Sequence, residues 1–248
     1  MVDSLTSAGG RVAERFETTQ WSLVLAAAQG AEGSREALEW LCATYWYPLY
    51  AFVRRHTHDA EASRDLTQSF FLSLIDGDSL RRIDPGQGRF RAFLLASIKH
   101  FLANERARTD ALKRRADNPA FQLPLDDAEA RYLADPASGL DPEQVFETRW
   151  ALAVLERALR RLGEEHEGSG KGALFRRLSG YLTGDEGASY EGAARELEMT
   201  EGALRVALHR MRRRLGALLR KEVVQTVASP AEVDGEIRNL LLALGRAT

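Results

Sequence analysis

The chain has 248 residues, 44% of them hydrophobic, enough apolar material for packed cores, which excludes global disorder. Its single cysteine, Cys42, excludes intramolecular disulfides and cysteine-cluster zinc sites. The formal net charge is −2, no signal-like leader opens the chain, and no run of about 18 apolar residues occurs; the expectation is a cytoplasmic protein without a membrane partner.

The near-neutral total conceals a strong pattern. Residues 89–115 hold eight Lys/Arg against two acids, and residues 204–221 hold seven against none. Residues 116–147 hold eight acids against one arginine. Two basic surfaces and one acidic connector are therefore expected, and basic surfaces suit nucleic acid.

Residues 1–33 read as an N-terminal extension with one short helix. Thr18 or Thr19 caps it, Gly30 ends it, and Trp21 and Leu25 form its inner side. Ser34 to His56 reads as a long apolar helix interrupted by Pro48, which kinks or divides it. Asp59 to Ile75 gives a second helix, with Leu66, Phe70, Phe71 and Leu74 on one side. After a turn-rich stretch with Pro85, Gly86 and Gly88, Phe90 to Arg115 reads as a long helix. Its basic and aromatic residues interleave, which suits single-stranded or melted nucleic acid: rings stack on bases and cations follow phosphates. Phe93 and Phe101 individually read as core residues.

Residues 116–142 lack periodicity and hold four of the seven prolines. They read as a linker with extended character near the prolines. Val145 to Leu162 is the next helix, and Gly163 to Gly172 reads as a flexible loop. Its GSGKG is similar to a phosphate-binding loop but fails the pattern. Glu165 stands where the first glycine is needed, and Gly172 where Ser or Thr should follow the lysine. Ala173 to Leu182 supplies another helix.

From Ser189 to Lys221 the pattern is two helices joined by a tight turn. Tyr190, Ala193, Ala194 and Leu197 lie on the first, Glu198-Met199 turns, and Thr200 caps the second. Leu204, Leu208, Met211 and Leu215 form an inner stripe opposite Arg205, His209, Arg210, Arg212, Arg213, Arg214, Arg220 and Lys221. This is a helix-turn-helix pattern, whose second helix can enter a major groove. Beyond it, Ser229-Pro230-Ala231-Glu232 is a capping box opening a last helix, with Val233, Ile237, Leu240, Leu241 and Leu244 inside. The five histidines lie in different segments, and no nucleophile elbow or HExxH pair occurs. No enzyme activity, cofactor or metal is expected.

YWYPLYAFVRRH, ASRDLTQSFFLSL, GRFRAFLLASIKHFLANERAR and SYEGAARELEMTEGALRVALHRMRRRL occur in this order. Over roughly Trp21 to Lys221 the chain resembles a bacterial RNA polymerase sigma factor of the sigma-70 family, in the small extracytoplasmic-function group. Its FETTQW opening and YWYPLY motif resemble a branch linked to Ser/Thr kinases. The resemblance implies an all-α fold of two helical domains. A region 2-like domain (34–115) and a region 4-like helix-turn-helix domain (143–222) would be joined by the acidic proline-rich linker (116–142), with a C-terminal helical extension (223–248).

It also implies roles by position. Arg82, Arg89, Arg91, Lys99, His100 and Asn104 would meet the −10 element, where a base is flipped from a melted strand. Thr200, Glu201, Arg205, Val206, His209 and Arg210 would face the −35 element. Glu61, Asp65 and Gln68 would bind core RNA polymerase. Arg64 and Ser69 occupy positions where the family leads one to expect carboxylates. That deficit suggests that phosphorylation of Thr67, or of Ser69, by a Ser/Thr kinase supplies the missing charge. The competing expectation is a stand-alone helix-turn-helix regulator, which would form a homodimer on palindromic DNA.

Overall fold

A computed structural model describes residues 19–26, 33–76, 88–105, 123–134, 139–182 and 190–246. Ten α-helices account for the regular structure of these residues, and no strand occurs among them, only one isolated antiparallel bridge between Arg89 and Val227. The all-α expectation therefore holds.

α1 (Gln20–Ala26) begins at Thr19, whose hydroxyl accepts the Ser22 N–H at 3.0 Å. α2 (Ser34–Thr57) carries Pro48, whose ring would strike the carbonyl four residues back. The chain absorbs that at Tyr45, which leaves helical geometry (φ −119°, ψ 25°), so the helix kinks and continues. Asp59 caps α3 (Ala60–Asp76) by accepting the Ala62 N–H at 2.8 Å. α4 is Phe90–Glu105.

Two expectations need correction. The linker contains a helix, α5 (Ala128–Leu133), with Leu123 and Ala128 buried beside it. Six residues are too few to show periodicity, and α5 is held by contacts to α2 rather than by its own propensity. The loop expected at 163–172 is mostly helix. α6 runs Pro142–Gly168, opened by a capping box between Asp141 and Gln144. Glu164, Glu165 and Glu167 are good helix formers, and Arg214 clasps Glu165. The chain turns at Gly170, which has φ 72°.

α7 (Gly172–Leu178) and a short 3₁₀ turn at Gly180–Leu182 lead to α8 (Tyr190–Glu196) and α9 (Glu201–Val224). A 3₁₀ turn at Pro230–Glu232, with the expected Ser229–Glu232 capping box, opens α10 (Val233–Leu244).

The main core gathers α1, α2, α3 and α4, and it continues into α6, the end of α9 and α10. Trp150 of α6 stacks on Tyr45 with ring centroids 4.4 Å apart, and Trp21 lies 5.1 Å from Phe90. Phe93 is buried and Phe101 packs edge-on to Phe70, so both are core residues as expected. A second core joins α7, α8 and α9 through Leu178, Ala193, Leu204, Leu208 and Met211. α6 bridges the two, because its C-terminal half packs Ala158 and Leu162 against Leu215 and Leu218 of α9. Cys42 is a buried thiol, its pKa pushed up by burial.

Candidate nucleic-acid interface

The turn between α8 and α9 is built as its residues dictate. Glu198 takes φ 53°, the Met199 N–H donates to the Ala194 carbonyl at 2.9 Å, and Thr200 Oγ1 accepts the Ala203 N–H at 3.2 Å. Buried Ala193 and Ala194 let α9 approach. With Leu204, Leu208, Met211 and Leu215 turned inward, Thr200, Glu201, Arg205, Val206, His209 and Arg210 all fall on the exposed face. Val206 is 50% exposed, unusual for a β-branched apolar residue on a packed helix. Arg205 is 3.3 Å from Glu201 and lies over the Tyr190 ring. Arg212 is anchored by donating to the Tyr181 carbonyl at 3.0 Å, so it braces the fold. Beside this face lies a groove of about 590 Å³ lined by Met199, Val206, Met211 and Leu174, with His166 and Arg210 at its rim.

The face on α4 is only partly open. Lys99, His100 and Asn104 are exposed, and His100 and Asn104, one turn apart, are joined at 3.1 Å. Lys99 reaches Glu143 at 2.6 Å, and this contact holds the Glu143 carboxyl below its ordinary pKa. A cavity of about 340 Å³ lies between them, Phe52, His56, Leu102 and Pro142.

Arg91 differs from the expectation. It is 9% exposed and faces α10 and α6 instead of solvent. Its Nε and Nη2 donate to the two carboxylate oxygens of Glu236 at 2.9 and 3.2 Å, and its Nη1 to Glu147 at 2.6 Å. Burial opposes its charge, but these two acids outweigh it and keep the guanidinium pKa above its usual value. Arg89 lies 3.3 Å from the same Glu236. Arg82 lies outside the described residues.

On α3, Glu61 and Asp65 are exposed. Gln68 is half-buried and its Oε1 accepts the Leu123 N–H at 3.3 Å, so the linker lies against it. Thr67 is fully buried and its hydroxyl donates to the Ser63 carbonyl at 2.7 Å. A kinase cannot reach it in this conformation; Ser69 is half-buried.

Sequence reasoning missed the acids that partner these bases. Glu129 of α5 accepts from Arg54 Nη2 at 2.9 Å and Nε at 3.0 Å, and from the Tyr50 hydroxyl at 2.7 Å. Arg64 adds its field to the same carboxylate. Glu236 had a readable signal: an acid on the inner stripe of Val233, Ile237 and Leu240 implies a buried cation. Among the described residues, no group of three or more His, Cys, Asp or Glu gathers to hold a metal, and no helix is long and apolar enough to cross a membrane.

Residues 44–114 match the family model for sigma-70 region 2. This supports a sigma-70 family sigma factor. The region 2 match runs from the kink in α2 through α3 and α4, so it covers both the exposed acids of α3 and the basic face of α4. Region 2 implies core RNA polymerase and promoter DNA as partners, and sigma-70 factors are transcription initiation factors rather than enzymes. No curated protein and no solved structure matches the chain.

Proposed function

We propose that the protein is an extracytoplasmic-function type sigma factor. It carries core RNA polymerase to promoters whose −35 element is read by α9 and whose −10 element is opened by region 2. The observation that carries this reading is the pairing of region 2 with the solvent-facing surface of Arg205, Val206, His209 and Arg210, in a stretch (204–221) that holds no acid. Thr200 and Glu201 stand at the end of α9 that would enter the groove. On region 2, Arg82, Arg89, Arg91, Lys99, His100 and Asn104 supply the cationic and polar contacts for a single strand. Glu61, Asp65 and Gln68 meet the polymerase. In this reading the region 2-like domain is residues 34–115 and the region 4-like domain is residues 143–222, joined by 116–142.

Transcription reconstituted from purified core polymerase and this protein tests the reading. The expected result is monomeric binding to polymerase and initiation at an asymmetric promoter. Arg210→Ala should weaken −35-dependent initiation and, if Arg210 holds a phosphate, lower the salt slope of DNA binding by about 1. A homodimer that binds palindromic DNA tightly and ignores polymerase would replace this reading with the stand-alone regulator.

Phosphorylation belongs to the same reading. It is supported by Arg64 and Ser69 standing where carboxylates are expected on the polymerase-binding helix. Because Thr67 is buried, its modification must follow a local opening that exposes its hydroxyl. Full transcription by Thr67→Ala under inducing conditions would show that a Thr67 phosphate is not needed.

A further inference from the structure

We infer that α10 is an inhibitory occupant of region 2, filling with its own carboxylate the place on Arg89 and Arg91 that a single-stranded DNA phosphate takes in the active state. The inference rests on the proposed DNA-binding role of α4.

Three features carry it. First, Glu236 is 1% exposed and offers both oxygens to the fork of Arg91, with Arg89 on the same carboxylate. A guanidinium recognises carboxylate and phosphate with the same paired geometry, so one can replace the other. Second, the chain entering α10 is stitched to the start of α4. The Phe90 N–H donates to the Thr226 carbonyl at 2.9 Å, and the Ala228 N–H to the Gly88 carbonyl at 2.8 Å. Gly88 is what permits the approach, because a Cβ there would overlap the Glu232 carboxylate. The contact is therefore specific to this segment. Third, the apolar grip of α10 is one-sided, with Ile237 and Leu244 only partly buried against the core. Val233, Leu240 and Ala243 are buried, whereas Leu241 and Leu242 face outward, 59% and 58% exposed. Much of the attachment is ionic, including an Arg220–Asp234 pair at its start. A buried ion pair contributes little net stability once desolvation is counted, and a polyanion competes for it directly. α10 is thus held firmly enough to exclude weak ligands and loosely enough for a DNA strand to displace it.

The test uses the full-length protein and a short fluorescein-labelled single-stranded DNA, read by anisotropy across a salt series. Glu236→Gln weakens the fork, and Leu240→Glu loosens the helix while keeping every charge of the latch. Each variant should bind about tenfold tighter than the wild type. The log–log salt slope should be the same in wild type and variants, because α10 is displaced in every complex and the same phosphates are contacted. Adding Arg91→Gln to Glu236→Gln should remove part of the gain. Hydrogen exchange on the wild type supplies a second readout that needs no variant. Amides of Ile237 to Leu244 should lose protection when DNA saturates the protein.

Equal affinity in wild type and variants would overturn the inference, as would α10 amides that stay protected in the DNA complex. Neither readout contains polymerase or a promoter. A protein that shows the anisotropy gain yet never initiates with polymerase keeps the latch and loses the sigma reading. The reverse result keeps the sigma reading and removes the latch.

Discussion

Glu129 shows how much one acid can organise. Arg54 grips it bidentately and Tyr50 donates to it, and the Arg54 contact is the main reason its carboxyl sits below its ordinary pKa. The sign follows from that depression. Docking of α5 is supported at pH above the ordinary glutamate value and is lost as pH falls through the lower, folded value. A carboxyl NMR titration should therefore place the Glu129 midpoint below that of an exposed glutamate. Arg54→Gln should move it back up. An unshifted midpoint in the wild type would mean that the pair does not persist in solution. Trp150 tests the core in the same way. It is fully buried and stacked on Tyr45, so Trp150→Ala should cost about 3–5 kcal/mol in chemical denaturation.

Among the elements, those with their own local signals were readable from the sequence. Thr19, Thr200 and the Ser229–Glu232 box all cap the helices expected of them, and the inner stripe of α9 is buried as its spacing requires. Thr200→Ala should cost about 1 kcal/mol, measured by urea unfolding, because it orphans the Ala203 N–H. What escaped was set by distant partners. α5 is stabilised by contacts to residues 75 and more positions away, which no window of sequence contains. The end of α6 looked like a loop because of its glycines, yet Glu165 is clasped by Arg214, 49 residues on. The exposed α9 face was legible because it needs only one helix. The burial of Arg91 was not legible because it depends on Glu236, 145 residues later, and a basic residue on an amphipathic helix ordinarily faces water.

At the level of the whole molecule, the continuity of the core is the governing fact. α6 contributes Phe146, Trp150 and Val154 to the same cluster as Tyr45 and Phe90, and Ala158 and Leu162 to the cluster with α9. Arg157 and Arg161 of α6 lie 2.9 and 2.8 Å from the fully buried Glu222 of α9, tying the helices together. One cooperative unit should result. Urea unfolding followed by tryptophan fluorescence and by helical circular dichroism should give coincident single transitions. Two separated transitions would show that the α7–α9 part folds independently of the α6-linked core.

The Arg89–Val227 bridge also has a consequence for how the protein is made. Thr226, which closes the first turn of α4, is synthesised 135 residues after Arg91, and Gln225 likewise receives the Trp21 N–H across almost the full chain. At elongation rates of about 5–20 residues per second, that interval is on the order of ten seconds. Throughout it, the basic start of α4 is outside the ribosome or nearing its exit while the tail that covers it does not yet exist. Each new molecule therefore passes through an uncovered state once, before the last segment emerges and seals the N-terminal helices into place.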